Sequence, residues 1–186
     1  MSTWPRDRGV QRDMNAGFGH DDAVINIGRV AVMASPMDDE HEIRNVLYTY
    51  CRGIDRRDYD LVRSCYHPDA TDDHGGFQGD VDGFIRYIKA GLPRFEQTMH
   101  VIGNILIELD GDVARSEAYT LAFHRVPAST TKPTRDYTVG LRYMDRFERR
   151  DARWAIAERV CVFSFQRIDP CDPPMPWAPG FAIAGS

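Results

Sequence analysis

The hydrophobic pattern of this chain changes its period once, and that change restricts the folds it can adopt. Between Asp38 and Gly91 the apolar residues recur at helical spacing, whereas from Thr98 to Arg167 they alternate with a period of two. The first region predicts three helices, and the second predicts four long strands joined by short turns. Helices followed by a meander of antiparallel strands predict an α+β fold in which a curved sheet wraps the helices and encloses a pocket on its concave side.

Capping and turn residues set the boundaries of these elements. The predicted helix caps are Asp38 or Asp39, then Asp58, then Asp80, and the first helix ends close to Asp55. A hairpin turn signal, Asp-Gly-Asp at 110–112, separates the first two strands. The four strands begin at Thr98, Val113, Arg135 and Trp154.

The chain of 186 residues, 42% of them hydrophobic, fits one domain of ordinary size with two peripheral segments. Residues 1–36 follow neither period, so we expect an N-terminal extension outside the core, and residues 37–168 are predicted to form the domain. Residues 169–186 are too rich in proline for a helix or a strand. We expect this C-terminal tail to pack over a pocket mouth or a neighbouring subunit.

Composition excludes several classes of partner. The formal net charge of -5, with no dense stripe of Lys or Arg, argues against a nucleic-acid surface. No apolar run approaches the roughly 20 residues of a membrane-spanning helix, and no secretory signal is recognised. The cysteines lack C-x-x-C spacing, which is typical of free thiols in a reducing compartment; they are Cys51, Cys65, Cys161 and Cys171. We therefore expect a cytoplasmic protein, with no membrane or nucleic-acid partner, that binds a small molecule.

A histidine in the middle of the first predicted strand is the leading candidate for chemistry. His100 lies in an apolar stretch, where a buried imidazole needs hydrogen-bond partners, and alternation puts it on the same face as Asn104. Asp55, at the end of the first helix, could accept from one ring nitrogen and leave the other as a base that removes a proton from carbon. Alternatively, His100 is a satisfied histidine of the wall and Asp55 an ordinary residue of the helix end.

Two further residues could assist such a base. Tyr50 precedes Asp55 by five positions on the first helix; its hydroxyl could polarise a substrate carbonyl, or its ring could simply pack in the core. Arg159, inside the last strand, could hold a carboxylate or a departing anion. Equally, it could pair with Glu117 or Glu158.

The segment His67–His74 carries the residue types of a two-histidine, one-carboxylate metal site. Its spacing is not diagnostic and loops rich in Asp are usually solvated, so we expect no metal and interpret His74 as a pocket residue that hydrogen-bonds substrate or water. The chain has no P-loop, no Gly-rich dinucleotide motif and no G-x-S-x-G elbow. Phosphoryl transfer, hydride transfer and serine hydrolysis therefore lack support.

Several short motifs together resemble those of a known family. They are Tyr50-x4-Asp55, the run 56–60, His-Pro-Asp-Ala at 67–70, Thr-Met-His at 98–100, and the run 147–154. Over residues 38–168 the chain resembles the SnoaL-like branch of the nuclear-transport-factor-2-like superfamily. Within it the similarity is strongest to scytalone dehydratase, lindane dehydrochlorinase and bile-acid 7α-dehydratase. The resemblance implies a cone-shaped α+β barrel, with three N-terminal helices packed into a strongly curved antiparallel sheet, in a cofactor-free lyase that is commonly trimeric.

The resemblance also implies roles for individual residues. The catalytic Asp and His of those enzymes fall on Asp55 and His100, an assisting tyrosine on Tyr50, and an arginine on Arg159. A second pocket histidine of scytalone dehydratase falls on Glu117, which puts that enzyme's own substrate in doubt here. The substrate-binding residues that we expect are His74, Asn104, Glu117, Tyr119 and Phe163.

The function that follows from the resemblance is a cofactor-independent lyase of the dehydratase type. It would use the His-Asp dyad to remove a carbon-bound proton from a hydrophobic cyclic small molecule. Two alternatives remain: an isomerase or polyketide cyclase that uses the same pocket, and a non-catalytic protein that binds small molecules.

Overall fold

The computed structural model describes residues 35–171. Almost all of the predicted N-terminal extension and most of the predicted C-terminal tail lie outside these described residues. The helices are α1 (Pro36–Arg56), α2 (Tyr59–Ser64) and α3 (Val81–Gly91). The strands are β1 (Tyr66–Asp73), β2 (Gln78–Asp80), β3 (Gln97–Asp110), β4 (Val113–Val126), β5 (Arg135–Arg150) and β6 (Arg153–Pro170). No helix within residues 35–171 is long and apolar enough to cross a membrane.

The helix caps agree with two of the three predictions. Asp58 caps α2 and Asp80 caps α3, each through its side-chain carboxylate. The first prediction is wrong, because the N-cap of α1 is Ser35, and Asp38 is the reciprocal partner in its capping box. Asp39 is buried instead and accepts the indole N–H of Trp154 at 2.9 Å. It thereby fastens the start of α1 to the sheet.

The α+β fold is confirmed, and its sheet is mixed and not closed. The six strands have the order β2-β1-β6-β5-β4-β3, and all neighbours are antiparallel except β1 and β6, which are parallel. The expectation of a wholly antiparallel sheet is therefore wrong at this pair. The chain between β1 and β6 is long enough to contain α3 and four strands, so it can make the crossover that a parallel pair requires.

The helices pack on the concave face of the sheet. The buried side of α1 presents Ile43, Leu47 and Ile54 to a single core that includes Phe84 of α3 and Phe147 of β5. Strand β4 contributes mainly small residues to this face: Ala114, Ala118 and Ala122 are all buried. Because these side chains are only methyl groups, space remains between helices and sheet at the end of β4 where Ala122 lies.

An irregularity in β3 changes which residues face inward. The pairing register with β4 shifts between Ile102 and Ile105, which is the signature of a β-bulge. His100 and Ile102 are partly buried before the bulge, Gly103 and Asn104 are both exposed, and burial resumes at Ile105. The uniform alternation expected from the sequence is therefore wrong, and Asn104 does not share the face of His100.

Candidate active site

A cavity lies between the helices and the concave face of the sheet. Its volume is about 590 Å³, which lies within the range of small-molecule sites. Aliphatic and aromatic side chains form most of its wall, among them the predicted Phe163 and the neighbouring Phe165. The ionisable side chains that line the wall are Tyr50, His74, His100, His124, Tyr137 and Tyr143, with Arg94. An apolar cavity with a few convergent polar groups suits a hydrophobic ligand that carries one or two oxygens.

His100 and Asp55 are in direct contact at this cavity. Nδ1 of His100 lies 2.7 Å from Oδ1 of Asp55, and the backbone N–H of His100 donates to Oδ2 at 2.9 Å. The hydroxyl of Thr98 donates to Oδ1 at 2.9 Å. Since the carboxylate can only accept, Nδ1 carries the imidazole proton and Nε2 keeps its lone pair. This arrangement has the geometry of an oriented base.

Two features of the chain bring the end of α1 to the start of β3. Arg57 adopts a left-handed backbone conformation with φ of 57°, which terminates α1 just after Asp55. Its guanidinium then donates to the carbonyl of Phe95 at 2.6 Å. The segment that leads into β3 is thus fastened to the helix end, and Asp55 is held against the backbone of His100.

The pairing alters the pKa of Asp55. Burial raises the pKa of this carboxyl. The hydrogen bonds and the charge of His100, together with the hydrogen bond from the Thr98 hydroxyl, lower the pKa by a larger amount, so it lies below its ordinary value. The carboxylate is therefore ionised across the physiological range. An ionised carboxylate in this position stabilises the imidazolium that forms when His100 accepts a proton.

A third histidine, which the sequence analysis missed, shares the cavity. His124 of β4 donates from Nδ1 to the carbonyl of Tyr137 at 3.2 Å, and its ring centroid is 5.6 Å from that of His100. Burial, and then the charge of His100, lower the pKa of His124 to about 4, so this ring is neutral at physiological pH. Counting outward along the β3–β4 hairpin from the turn places His124 opposite Met99, and the bulge in β3 shifts the pairing by one residue to bring it opposite Thr98. The signal in the sequence was the alternation of β4, which puts His124 on the same face as Ala118 and Ala122.

Two tyrosine hydroxyls also reach the cavity. Tyr50 and Tyr143 pack edge to face with centroids 5.6 Å apart, and burial raises the pKa of both well above the usual value. They therefore remain protonated donors. Within residues 35–171 neither hydroxyl has a hydrogen-bond partner, so each can donate to a ligand oxygen. Tyr50 thus both packs in the core and borders the cavity.

Arg159 has a different place from the one expected. It does not line the cavity; its Nε and Nη2 both donate to Asp145 at 2.7 Å, and its side chain is fully buried. The guanidinium carbon lies 4.1 Å from the ring centroid of Tyr50 and 4.0 Å from that of Tyr143. The expectation that Arg159 contacts substrate is therefore not supported. The acceptor of Arg159 is Asp145 rather than Glu117 or Glu158. The guanidinium packs against the rings of Tyr50 and Tyr143.

Three of the expected substrate-binding residues lie away from the cavity. Asn104 is turned outward by the bulge in β3. On β4 the alternation buries Ser116 and Thr120, which leaves Glu117 and Tyr119 on the convex face. There Glu117 accepts from Arg142 at 2.7 Å and is satisfied by that ion pair. Of the five expected residues, His74 and Phe163 line the cavity.

The His67–His74 segment does not gather metal ligands. A ring nitrogen of His67 is 2.9 Å from the carbonyl oxygen of Glu148, whereas His74 lies at the cavity. In the part of the chain that the structure describes, no three His, Cys, Asp or Glu side chains are grouped so that they could hold a metal ion.

Comparisons with known proteins agree with this fold. A family model described as a SnoaL-like domain matches residues 35–160. An uncharacterized protein of Mycobacterium tuberculosis (strain ATCC 25618 / H37Rv) is 28% identical over 145 residues, which cover 76% of this chain and 97% of that protein. The family match confirms the resemblance inferred from the sequence motifs.

Solved structures show the same architecture. A type 2 hexachlorocyclohexane dehydrochlorinase has a TM-score of 0.64 at 18% identity, and the match covers 77% of this chain and 96% of that one. A protein of Novosphingobium aromaticivorans DSM 12444, provisionally assigned as a scytalone dehydratase, has a TM-score of 0.64 at 18% identity, covering 70% and 87%. At such identities the matches demonstrate a shared fold.

Proposed function

This chain belongs to the SnoaL-like domain family, and from that membership and the geometry of its cavity we propose that it is a cofactor-independent lyase of the dehydratase type. Its substrate is a hydrophobic cyclic small molecule from which a carbon-bound proton is removed. The observation that carries the proposal is the 2.7 Å contact between His100 Nδ1 and Asp55 Oδ1 at the wall of a largely apolar cavity.

Each polar group in the proposed reaction has one task. His100 removes the carbon proton through Nε2, and Asp55 orients the ring and stabilises its positive charge. The hydroxyl of Tyr50 donates to the substrate oxygen on which negative charge develops. Arg159 acts through Tyr50 and Tyr143, whose rings cover its guanidinium. Neutral His124 supplies a further polar contact to substrate.

The two structural neighbours support elimination over other uses of a base. One is named as a dehydrochlorinase and the other is provisionally assigned as a dehydratase. Both names denote loss of a leaving group after removal of a proton. An isomerase or a cyclase would use the same base without releasing water, so the products of the reaction separate these possibilities.

The proposal is tested with a carbon acid that needs only a base and an apolar cavity. The probe 5-nitrobenzisoxazole loses its ring carbon proton and opens to a coloured phenolate. We expect the wild-type protein to accelerate this opening, and both His100→Ala and Asp55→Asn to slow it by about 10²-fold or more, since general bases contribute roughly 10²–10⁴-fold. The readout is kcat/KM from absorbance, and a panel of cyclic β-hydroxy ketones then reports water loss by mass spectrometry.

A histidine outside the cavity provides the matched control. His41 is exposed on α1, and His41→Ala removes an imidazole without touching the cavity wall. It should retain full activity. If the wild-type protein and His100→Ala open the probe at the same rate, the base is not His100 and a non-catalytic binding protein becomes the better interpretation.

We also propose that the protein is a homo-oligomer, most simply a trimer. Large apolar side chains are exposed on the convex face of the sheet, opposite the cavity; they are Met99, Val101, Leu106, Tyr119, Leu121, Met144 and Val160. A patch of this kind is typical of a surface that another subunit covers. Light scattering should give the mass of three chains for the wild type and one chain for Leu121→Arg, and a monomeric wild type would overturn the proposal.

A further inference from the structure

A second histidine-carboxylate pair borders the same cavity. His74 directly follows β1, whereas His100 lies on β3, and three strands separate β1 from β3 in the sheet. Both rings line the cavity, so a ligand between helices and sheet is flanked by imidazoles that come from different regions of the sheet. Neither the family match nor the resemblance in sequence assigns Asp72 or this pair a function.

The pair is firmly built. Nδ1 of His74 is 3.0 Å from Oδ1 of Asp72, and the hydroxyl of Tyr66 donates to Oδ2 of Asp72 at 2.7 Å. Asp72 is 1% exposed, so the protein supplies its hydrogen bonds. The ring of His74 packs against Phe84 with centroids 4.9 Å apart. As with His100, a carboxylate acceptor at Nδ1 fixes the tautomer and leaves Nε2 as the nitrogen available for chemistry.

A thiol completes the surroundings of His74. The sulfur of Cys161 is 3.3 Å from the same Nδ1, and burial raises the pKa of this thiol well above its ordinary value. The thiol is therefore neutral, and it is a weak partner rather than a nucleophile. The strong acceptor at Nδ1 is the carboxylate of Asp72.

The two pairs differ in their neighbours. His100 lies beside His124, and a positive charge on His100 works against one on His124. His74 has no histidine at such a distance among the described residues; its nearest aromatic neighbours are Phe84 and Tyr143. Either ring, when it carries a proton on both nitrogens, forms an ion pair with its carboxylate, but only His74 does so without a second histidine beside it among the described residues.

We propose that His74, held by Asp72, is the general acid that faces the base His100 across the substrate. This inference rests on the proposed lyase function and assigns its second proton transfer. His100 Nε2 takes the carbon proton, and the electrons of the C–H bond form the new double bond. The C–O bond breaks toward oxygen, which receives the proton from Nε2 of His74 and departs as water. His100 then returns its proton to solvent and His74 takes one from solvent, so the cycle closes.

The first experiment compares two probes that differ in their leaving group. Both 5-nitrobenzisoxazole and unsubstituted benzisoxazole lose the same carbon proton, but the second expels a much more basic phenolate that needs an acid. His74→Asn should slow the unsubstituted probe at least about tenfold more than the nitro probe, because the nitrophenolate departs without help. Asp72→Asn should give the same selective loss to a smaller extent. Equal slowing of both probes would mean that His74 only shapes the cavity, and would overturn the assignment.

The second experiment does not depend on turnover. We expect the cavity to bind 2-cyano-4-nitrophenolate, an oxyanion at neutral pH, more tightly than the methyl ether of the same phenol. His74→Asn should remove most of that preference, about tenfold, while binding of the ether stays unchanged. If the wild type shows no preference, or if His74→Asn retains it, the inference is overturned. Where Asn loosens the packing against Phe84, His74→Phe preserves an aromatic ring without a donor and is measured in its place.

The two proposals fail in different ways. His100→Ala should abolish opening of both probes and leave the phenolate preference intact. A wild-type protein without probe opening contradicts the proposed base, yet the binding preference still decides whether His74 is positioned to meet an oxyanion.

Discussion

Two acid-base pairs in this protein share a contact distance and differ in almost everything else. Arg159 and Asp145 are joined by two hydrogen bonds of 2.7 Å, and neither side chain has any exposed surface. His100 and Asp55 are also 2.7 Å apart, but their side chains are 8% and 23% exposed and the histidine borders the cavity. A short hydrogen bond alone therefore does not identify a reactive pair.

The difference lies in what each pair can exchange with its surroundings. Burial is the largest single influence on the pKa of Arg159 and lowers it, but the charge and hydrogen bonds of Asp145 and the neighbouring tyrosines together raise this pKa well above its ordinary value. The guanidinium therefore stays charged and cannot transfer a proton. His100 is the residue type that gains and loses a proton near neutral pH, and Nε2 has no partner among the described residues. The sealed pair, Arg159 and Asp145, can only maintain the structure, whereas the open pair, His100 and Asp55, has the geometry that the proposed base requires.

The largest expected effect comes from breaking the sealed pair. Asp145→Ala leaves a buried guanidinium without a counter-charge, and removing one partner of a buried pair costs about 3–5 kcal/mol. Urea unfolding should show this loss in the free energy of unfolding. Arg125 on β4 and Asp136 on β5 form the matched control, because two hydrogen bonds also join this pair across neighbouring strands, but its side chains are partly exposed. Asp136→Ala should cost less than about 1 kcal/mol; equal losses would refute the distinction.

The next effect concerns how the pH dependence of stability is influenced by His124, which lies beside His100 of the open pair. The pKa of His124 is about 4 in the folded protein and near 6.5 in an unfolded chain. Between these values the unfolded state binds a proton that the folded state does not, so the free energy of unfolding falls as pH falls from about 6.5 to 4. The decline attributable to His124 should be about 3 kcal/mol, and His124→Gln should remove it. A pH profile that is unchanged by this substitution would contradict the assignment.

The smallest expected effect comes from removing one hydrogen bond to Asp55 in the open pair. Thr98→Val removes one of the hydrogen bonds that lower the pKa of Asp55 and retains the shape of the side chain. The pKa of Asp55 should rise toward its ordinary value, and the free energy of unfolding should fall by about 1 kcal/mol. Carboxyl carbon NMR titration measures the first quantity directly. No change in the titration would show that the backbone and imidazole of His100 alone hold Asp55.

Much of the order of helices and strands can be predicted from hydrophobic periodicity and helix capping. The change of period between Gly91 and Thr98 predicted helices before long strands, and the hairpin signal after β3 predicted its pairing with β4. The pairing of Asp55 with His100, 45 positions apart, was proposed from residue types and from the family resemblance, and the two side chains do touch. These features depend on capping and turn residues or on the order of the helices and strands, and both can be recognised in the sequence.

The remaining features depend on register, which a single sequence expresses poorly. Arg159 meets Asp145 only because an irregularity between Arg146 and Phe147 shifts the β5–β6 pairing by one residue. Asp72 and His74 are only two positions apart, but the contact of His74 with Cys161 requires β1 to lie beside β6, a parallel pairing between distant parts of the chain. Neither the register shift in β5–β6 nor the parallel pairing of β1 with β6 has a recognisable signature in the types of side chain.

The bulge in β3 has one further consequence, for how the protein tolerates insertions and deletions. Residues before it present His100 to the cavity, and residues after it pack in the core, with each half following its own alternation. Loss of one residue at the bulge would restore a single alternation along the strand. Because two exposed residues, Gly103 and Asn104, separate the inward-facing Ile102 and Ile105, removal of one of them leaves both halves facing inward, and His100 stays at the cavity. The extra residue at the bulge is therefore the part of β3 that a deletion can remove without turning the imidazole of His100 away from Asp55.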